Sequence, residues 1–236
     1  MGLFIVFEGG EGAGKTTQAR ILYGRLCQKK QRARILHEPG DTPLGNSIRT
    51  LVTAPRDTLF AGWRSSLTHA LTDSQLVAKD IWLPIVPSAE LFLFAAARAQ
   101  LVAERLKPLL QKGAIVVCDR YKYSTVAYQG YGHGMDLGFI TTVNEIVTQG
   151  VEADLVILLD VEPSKGILRK RGTAEISKFE VQDLAFHQRV RQGYLEMAKK
   201  EPERWLVVDV SLPSKEVTRL IWERVEHLFH SKGLVL

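Results

Sequence analysis

Apolar positions follow two rhythms along the chain. Short apolar runs fall at residues 3–7, 33–36, 114–118, 155–159 and 205–210; three are uninterrupted, while 33–36 and 205–210 each carry one charged residue. Runs of this kind predict strands buried on both faces of a sheet. Between them lie helix-length stretches at 15–29, 88–111, 137–148, 181–199 and 214–230. In the second of these, Ala89, Phe92 and Ala96 share one helical face with Leu93 beside them, and Ser88 after Pro87 is the predicted N-cap. Regular alternation of strands with helices predicts an α/β fold of three layers, a five-stranded parallel sheet flanked by helices.

One segment departs from that alternation. Within 53–87, Leu59, Trp63, Leu67 and Leu71 recur every four residues, which predicts an amphipathic helix inserted where a loop would be overlong. No linker composition separates two units, so residues 1–236 are expected to form a single domain.

Composition narrows the class. The 236 residues are 45% hydrophobic and 24% charged, enough apolar surface to offset the ordering entropy that keeps disordered chains unfolded. The first apolar run meets Glu8 and Glu11, and no run approaches spanning length. A cytoplasmic protein is expected, with no membrane partner. Cys27 and Cys118 could form at most one bridge and are expected to be free thiols. The net charge of +5 is uneven: residues 19–37 carry six cations and no acid, and residues 165–178 sum to +4, leaving −5 for the remainder. The second cluster suits an anionic ligand.

The chemistry begins at Gly9, Gly10, Glu11, Gly12, Ala13, Gly14, Lys15 and Thr16, followed by Thr17, which match G-x-x-x-x-G-K-[ST] between a strand and a helix. Glycines let consecutive N–H groups turn towards phosphate oxygens, and the helix N-terminus adds a favourable dipole. Lys15 supplies charge at the β- and γ-phosphates, and the Thr16 hydroxyl is a candidate metal ligand. This is a nucleotide-binding P-loop. Neither the N-K-x-D of guanine binding nor an L-S-G-G-Q-like signature is present, which favours phosphoryl transfer to a small molecule over a switch or motor.

Three further clusters fall beyond the carboxyl ends of predicted strands, where open α/β sheets bind ligands. The first is His37 to Gly45, with Pro43 and then Arg49. The second is Phe94 and Arg98 on the long helix, and the third Asp119-Arg120-Tyr121 followed by Ser124, Tyr128 and Gln129. Aromatics offer planar surfaces for a base, amide and hydroxyl groups can bond its edge, and arginines can meet phosphate or carbonyl oxygens.

The F-E-G-x-E-G-A-G-K-T-T loop, E-P-G-x-T-P-L-G and D-R-Y-x-x-S-x-x-A-Y-Q-G closely resemble the thymidylate kinase family. That resemblance implies a P-loop fold, transfer from ATP to dTMP with Mg²⁺, and a homodimer with no nucleic-acid partner. It also implies roles for individual residues. Glu11 would hold the sugar 3′-hydroxyl region, and Arg49 and Arg120 the dTMP phosphate. Phe94 would stack on thymine, with Arg98, Gln129 and Ser124 at its edge. Tyr128 would crowd the sugar 2′ position, and Asp119 with Thr16 would orient Mg²⁺. A lid at 165–180 would close over ATP, its catalytic cation either Lys178 or the Arg169/Arg171 pair. The family's pattern also brings departures: Gly12 stands where some members carry arginine, Lys178 where the lid has arginine, and Ala97 where a polar residue is common. The loop 208–213 resembles the adenine-side loop only loosely. The alternatives on the same residues are another nucleoside monophosphate or deoxynucleoside kinase, and a P-loop nucleic-acid-binding ATPase.

Overall fold

The computed structural model describes residues 2–53, 85–171 and 182–236. Most of the 53–87 segment, including its proposed amphipathic helix, therefore lies outside the described residues, as does Lys178.

Five strands form one parallel sheet: β1 (Leu3–Glu8), β2 (Ala33–His37), β3 (Ile115–Asp119), β4 (Leu155–Asp160) and β5 (Trp205–Asp209). Their spatial order is β2-β3-β1-β4-β5, so β1 and the loop after it lie at the centre, where the chain's direction of winding reverses. Successive side chains on each strand serve opposite layers. Leu3, Ile5 and Phe7 pack with Ala19, Leu22 and Leu26 of α1 (Lys15–Gln28) and with Val217, Ile221 and Val225 of α9 (Ser214–Ser231). Phe4 and Val6 face the other layer, built from α3 (Pro87–Leu101), α8 (Leu184–Lys200) and the segment after β3. The three-layer α/β expectation holds.

The long helix is one rod of three pieces. After α3 it passes through a π-turn (Val102–Leu106) into α4 (Lys107–Gln111). Its start differs from the sequence expectation: Pro87 occupies the first helical turn, Val86 is the cap position, and Ser88 is inside the helix and exposed. Proline's fixed φ and missing N–H suit that first position. The apolar face noted in the sequence points outward. Ala89, Phe92 and Ala96 are exposed, and the buried side carries Glu90, Leu91, Ala95, Ala97, Arg98 and Leu101. Two buried charged residues disguised the true inner stripe.

The remaining helices are α2 (Pro43–Thr53), α5 (Lys122–Thr125), which runs on into a second π-turn (Val126–Gly132), α6 (Leu137–Thr148) and α7 (Pro163–Arg171). Asp136 caps α6 by accepting Phe139 N–H at 2.7 Å, a contact of about 1 kcal/mol in typical helices. Ala97 packs on Ile48 and Val52 of α2, so the departure at that position joins α2 to α3.

The basic cluster of 19–37 now has a physical account. Arg20, Lys29, Lys30, Arg32 and Arg34 are exposed, and Arg25 lies 3.9 Å over the Trp222 ring. Arg32 and Arg34 border or belong to β2, an outer strand of the sheet. Charge on an edge strand discourages pairing with another chain. Both cysteines are free, Cys27 exposed and Cys118 buried.

Candidate active site

The P-loop leaves β1 and turns directly into α1. Gly14 takes the cap position with φ 87°, and the first turn of α1 contains no acidic residue. Its free N–H groups and dipole therefore favour an anion. Lys15 Nζ donates to the carbonyls of Gly9 (3.0 Å) and Gly10 (2.7 Å), curling its charge over the loop. Burial, then the neighbouring charge of Arg120, pull the Lys15 ammonium down to about 8, against Glu11, Asp119 and Glu8. It remains mainly charged at neutral pH.

Gly12 explains a departure seen in the sequence. Its φ is 67°, and a Cβ there would lie 2.0 Å from the Gly166 carbonyl oxygen on α7. Reciprocally, a Cβ on Gly166 would lie 2.3 Å from the Glu11 carbonyl oxygen. The loop and α7 thus touch backbone to backbone, leaving no room for an arginine.

Thr16 and Asp119 meet although they are far apart in sequence: Thr16 Oγ1 donates to Asp119 Oδ2 at 2.5 Å. Two hard oxygen donors beside a phosphate loop fit Mg²⁺, which takes few protein ligands and relies on phosphate and water for the rest. Among the described residues no cluster of three or more His, Cys, Asp or Glu could hold a metal independently.

Arg120 follows β3 with a left-handed φ of 72°. Its Nη2 donates to Glu11 Oε1 (2.9 Å) and the Tyr128 hydroxyl (3.1 Å), and its Nη1 to Ser124 Oγ (3.0 Å). Tyr128 also donates to Glu11 Oε1 at 2.8 Å, and Lys170 on α7 reaches Glu11 Oε2 at 3.0 Å. Burial pushes the Glu11 carboxyl up, but Arg120, Lys15 and Lys170 outweigh it and hold the group well below the usual carboxylate range. Glu11 is thus a fixed anion joining the P-loop, the D-R-Y segment and α7.

A second cluster lies towards α3. Arg98, 3% exposed, donates to Glu38 Oε2 (2.7 Å), Asn144 Oδ1 (2.9 Å) and the Tyr121 carbonyl (3.3 Å). Burial lifts the Glu38 carboxyl to about 7, with Arg98 opposing that rise. Gln129 Nε2 donates to Glu90 Oε1 at 2.6 Å. Phe94 is half-buried at the seam between α2 and the second core layer. Pro43 starts α2 and is exposed, and Arg49 on its outer side donates to the Pro39 carbonyl at 3.1 Å.

The structure groups Ser124 with Arg120 and Glu8 rather than with Arg98 and Gln129. Of the lid cations, Arg169 donates to the Val210 carbonyl at 3.3 Å, while Arg171 ends α7 with its side chain outside the described residues. Sequence reasoning missed Glu8, Glu38, Glu90, Asn144, Lys170 and Tyr194 as members of these networks. Glu8 carried one usable signal: a carboxylate ending an otherwise continuous apolar strand.

The sequence model of the thymidylate kinase family matches residues 7–61 and 64–221. The chain belongs to the thymidylate kinase family. It is 42% identical over 226 residues to the thymidylate kinase of Thermomicrobium roseum, covering 95% of each chain. It is 39% identical to that of Deinococcus radiodurans, covering 97% of this chain and 98% of the other. The crystal structure of thymidylate kinase from Ehrlichia chaffeensis superposes with a TM-score of 0.67 at 29% identity, over 95% of this chain and 98% of that one. The D-R-Y block and the P-loop that carried the resemblance are the segments that assemble the Glu11–Arg120 centre.

Proposed function

We propose that this thymidylate kinase family member transfers the γ-phosphoryl group of ATP to dTMP, giving ADP and dTDP in the route to dTTP. The observation that carries the proposal is the Glu11–Arg120–Tyr128 centre set beside Lys15 and the Thr16–Asp119 pair. It places an acceptor-type cluster of arginine, carboxylate and phenol against a donor-type phosphate loop.

Residues 9–17 hold the ATP phosphates through backbone N–H groups, Lys15 and Thr16. Arg120, with Arg49, grips the acceptor phosphate. Glu11 and Tyr128 face the sugar, Phe94 covers the base, and Arg98 and Gln129 read its edge. An acceptor phosphate oxygen attacks the γ-phosphorus as its bond to the β–γ bridging oxygen breaks. That oxygen is already anionic near neutral pH, so no strong base is required, and the protein's work is alignment and charge neutralisation. Thr16 and Asp119 would hold and orient Mg²⁺, which would supply charge neutralisation on the phosphates. With Gly12 closed to side chains, the cation over the transferring group comes from the lid, from Lys178 or from Arg169 and Arg171.

We also read a homodimer. Phe92 and Ile146 are 54% and 71% exposed, and Phe92 meets the exposed Phe139 edge-on at 6.2 Å, on adjoining helices α3 and α6. An apolar patch of this kind marks an interface. Sedimentation is expected to give twice the 26.4 kDa chain mass, and Phe92→Glu with Phe139→Glu to give monomers; a monomeric parent would end this reading. No described helix is long and apolar enough to cross a membrane, which supports a cytoplasmic location. The activity is tested by following ADP release with dTMP, dUMP, UMP, CMP and thymidine as acceptors.

A further inference from the structure

Glu8 is a carboxylate with no exposed surface at the end of the central strand, and the phosphoryl-transfer reaction gives it no direct role. It accepts four hydrogen bonds. Tyr121 N–H (2.9 Å) and Ser124 N–H (3.2 Å) donate to Oε1, and the hydroxyls of Ser124 (2.7 Å) and Tyr194 (2.9 Å) donate to Oε2. Tyr121 is the cap residue of α5 and makes no capping bond of its own. Glu8 therefore caps α5 from another strand, fixing the backbone just after the left-handed Arg120.

Its second oxygen orders protons. A hydroxyl has one hydrogen, so once it donates to Glu8 only its lone pairs remain. Those lone pairs meet Arg120 Nη1, which lies 3.0 Å from Ser124 Oγ and 3.5 Å from both the Tyr194 oxygen and the Gly9 carbonyl oxygen. The two hydroxyl oxygens are 2.9 Å apart and either can donate to the other, so whichever hydroxyl is bonded to Glu8 can also accept from its neighbour, and in both arrangements oxygen lone pairs still face the guanidinium nitrogen. Arg120 is thereby held on both sides: Nη2 by Glu11 directly, and Nη1 by Glu8 through two hydroxyls. Tyr194 is 1% exposed and sits on α8, the helix that follows the lid segment.

We propose that Glu8 and Tyr194 are positioning residues that, with Ser124, form a buried hydroxyl relay setting the Arg120 guanidinium for the acceptor phosphate. The proposal rests on Arg120 holding that phosphate. Tyr194→Phe keeps the ring and its packing and removes one acceptor. Glu8→Gln is more severe, because an amide N–H must face either the two backbone donors or the two hydroxyls. In the latter case the hydroxyl protons are released towards a cation.

The test is the affinity of the purified enzyme for dTMP and for thymidine, which lacks the phosphate, in the parent, Tyr194→Phe, Glu8→Gln and Arg120→Met. Tyr194→Phe is expected to weaken dTMP about three- to tenfold, because its contact to Arg120 is long at 3.5 Å while its bond to Glu8 is a full one at 2.9 Å, and thymidine and ATP less than about twofold. Glu8→Gln should weaken dTMP at least as much, and if it fails to fold Tyr194→Phe decides alone. Equal weakening of dTMP and thymidine in Tyr194→Phe would reduce the relay to ordinary core support and overturn the proposal. So would an unchanged Tyr194→Phe when Arg120→Met has lost the preference for dTMP over thymidine. If Arg120→Met keeps that preference, the assignment of Arg120 itself fails, and the relay with it.

Discussion

Lys15→Ala is expected to lower kcat by roughly 100- to 1,000-fold, the usual cost of deleting one preorganised contact to developing charge, while the dTMP KM changes less than about threefold. The asymmetry follows from geometry. Lys15 is curled over the P-loop carbonyls of Gly9 and Gly10, on the donor side, whereas the acceptor cluster is organised by Glu11, Arg120 and Tyr128. Deleting the ammonium also removes one of three cations that keep Glu11 ionised, but Arg120 and Lys170 still contact it directly. Steady-state kinetics with both substrates varied checks the split. An unchanged kcat would remove Lys15 from the catalytic centre.

Gly12→Arg is expected to abolish most activity rather than supply a second catalytic cation. Even Gly12→Ala should lower kcat/KM for ATP by roughly 10- to 100-fold: a non-glycine residue at a left-handed φ costs about 1 kcal/mol, before any clash. Here the clash is with backbone, since the new Cβ would sit 2.0 Å from the Gly166 oxygen and 2.7 Å from its carbonyl carbon. A flexible side chain could move aside; the backbone of α7 cannot without displacing that helix. Gly166→Ala should reproduce the defect, because its Cβ would meet the Glu11 oxygen at 2.3 Å. Parent-like kinetics in Gly12→Arg would show that the loop and lid do not need this contact.

Much of this architecture is legible in the sequence because it is local. The apolar runs locate five buried strands, and the P-loop signature carries its own strand–turn–helix context. The helix-length stretch 137–148 coincides with α6. Other features depend on what the fold brings together. Glu8 and Tyr194 are 186 residues apart, and only the β3-β1-β4 order, with α8 laid across it, makes them neighbours. The inner face of α3 misled for a related reason. It buries Glu90 and Arg98, whose partners Gln129 and Glu38 come from other segments, so counting apolar residues selects the outward stripe of Ala89, Phe92 and Ala96. Ser124 shows the same limit. Its position in the D-R-Y block places it near the acceptor site, but only the placement of Glu8 and Arg120 decides which group its hydroxyl serves.

The fold also explains how a modest excess of positive charge is used. The cations of 19–37 are spread along α1, the turn after it and the outer strand β2. Lys170 and Arg169 of the second cluster reach Glu11 and the Val210 carbonyl around the P-loop. The first group guards an edge, and the second lies where polyphosphate would bind.

Acceptor selectivity tests the central claim most directly. With ATP saturating, ADP release should be fast with dTMP, slower with dUMP, and at least about 100-fold slower with UMP, a discrimination of roughly 3 kcal/mol if Tyr128 takes its proposed place at the sugar 2′ position. Thymidine should give no turnover, because it presents no anionic oxygen to Arg120. Equal rates with UMP and dTMP, or ADP release that needs no nucleotide acceptor, would contradict it.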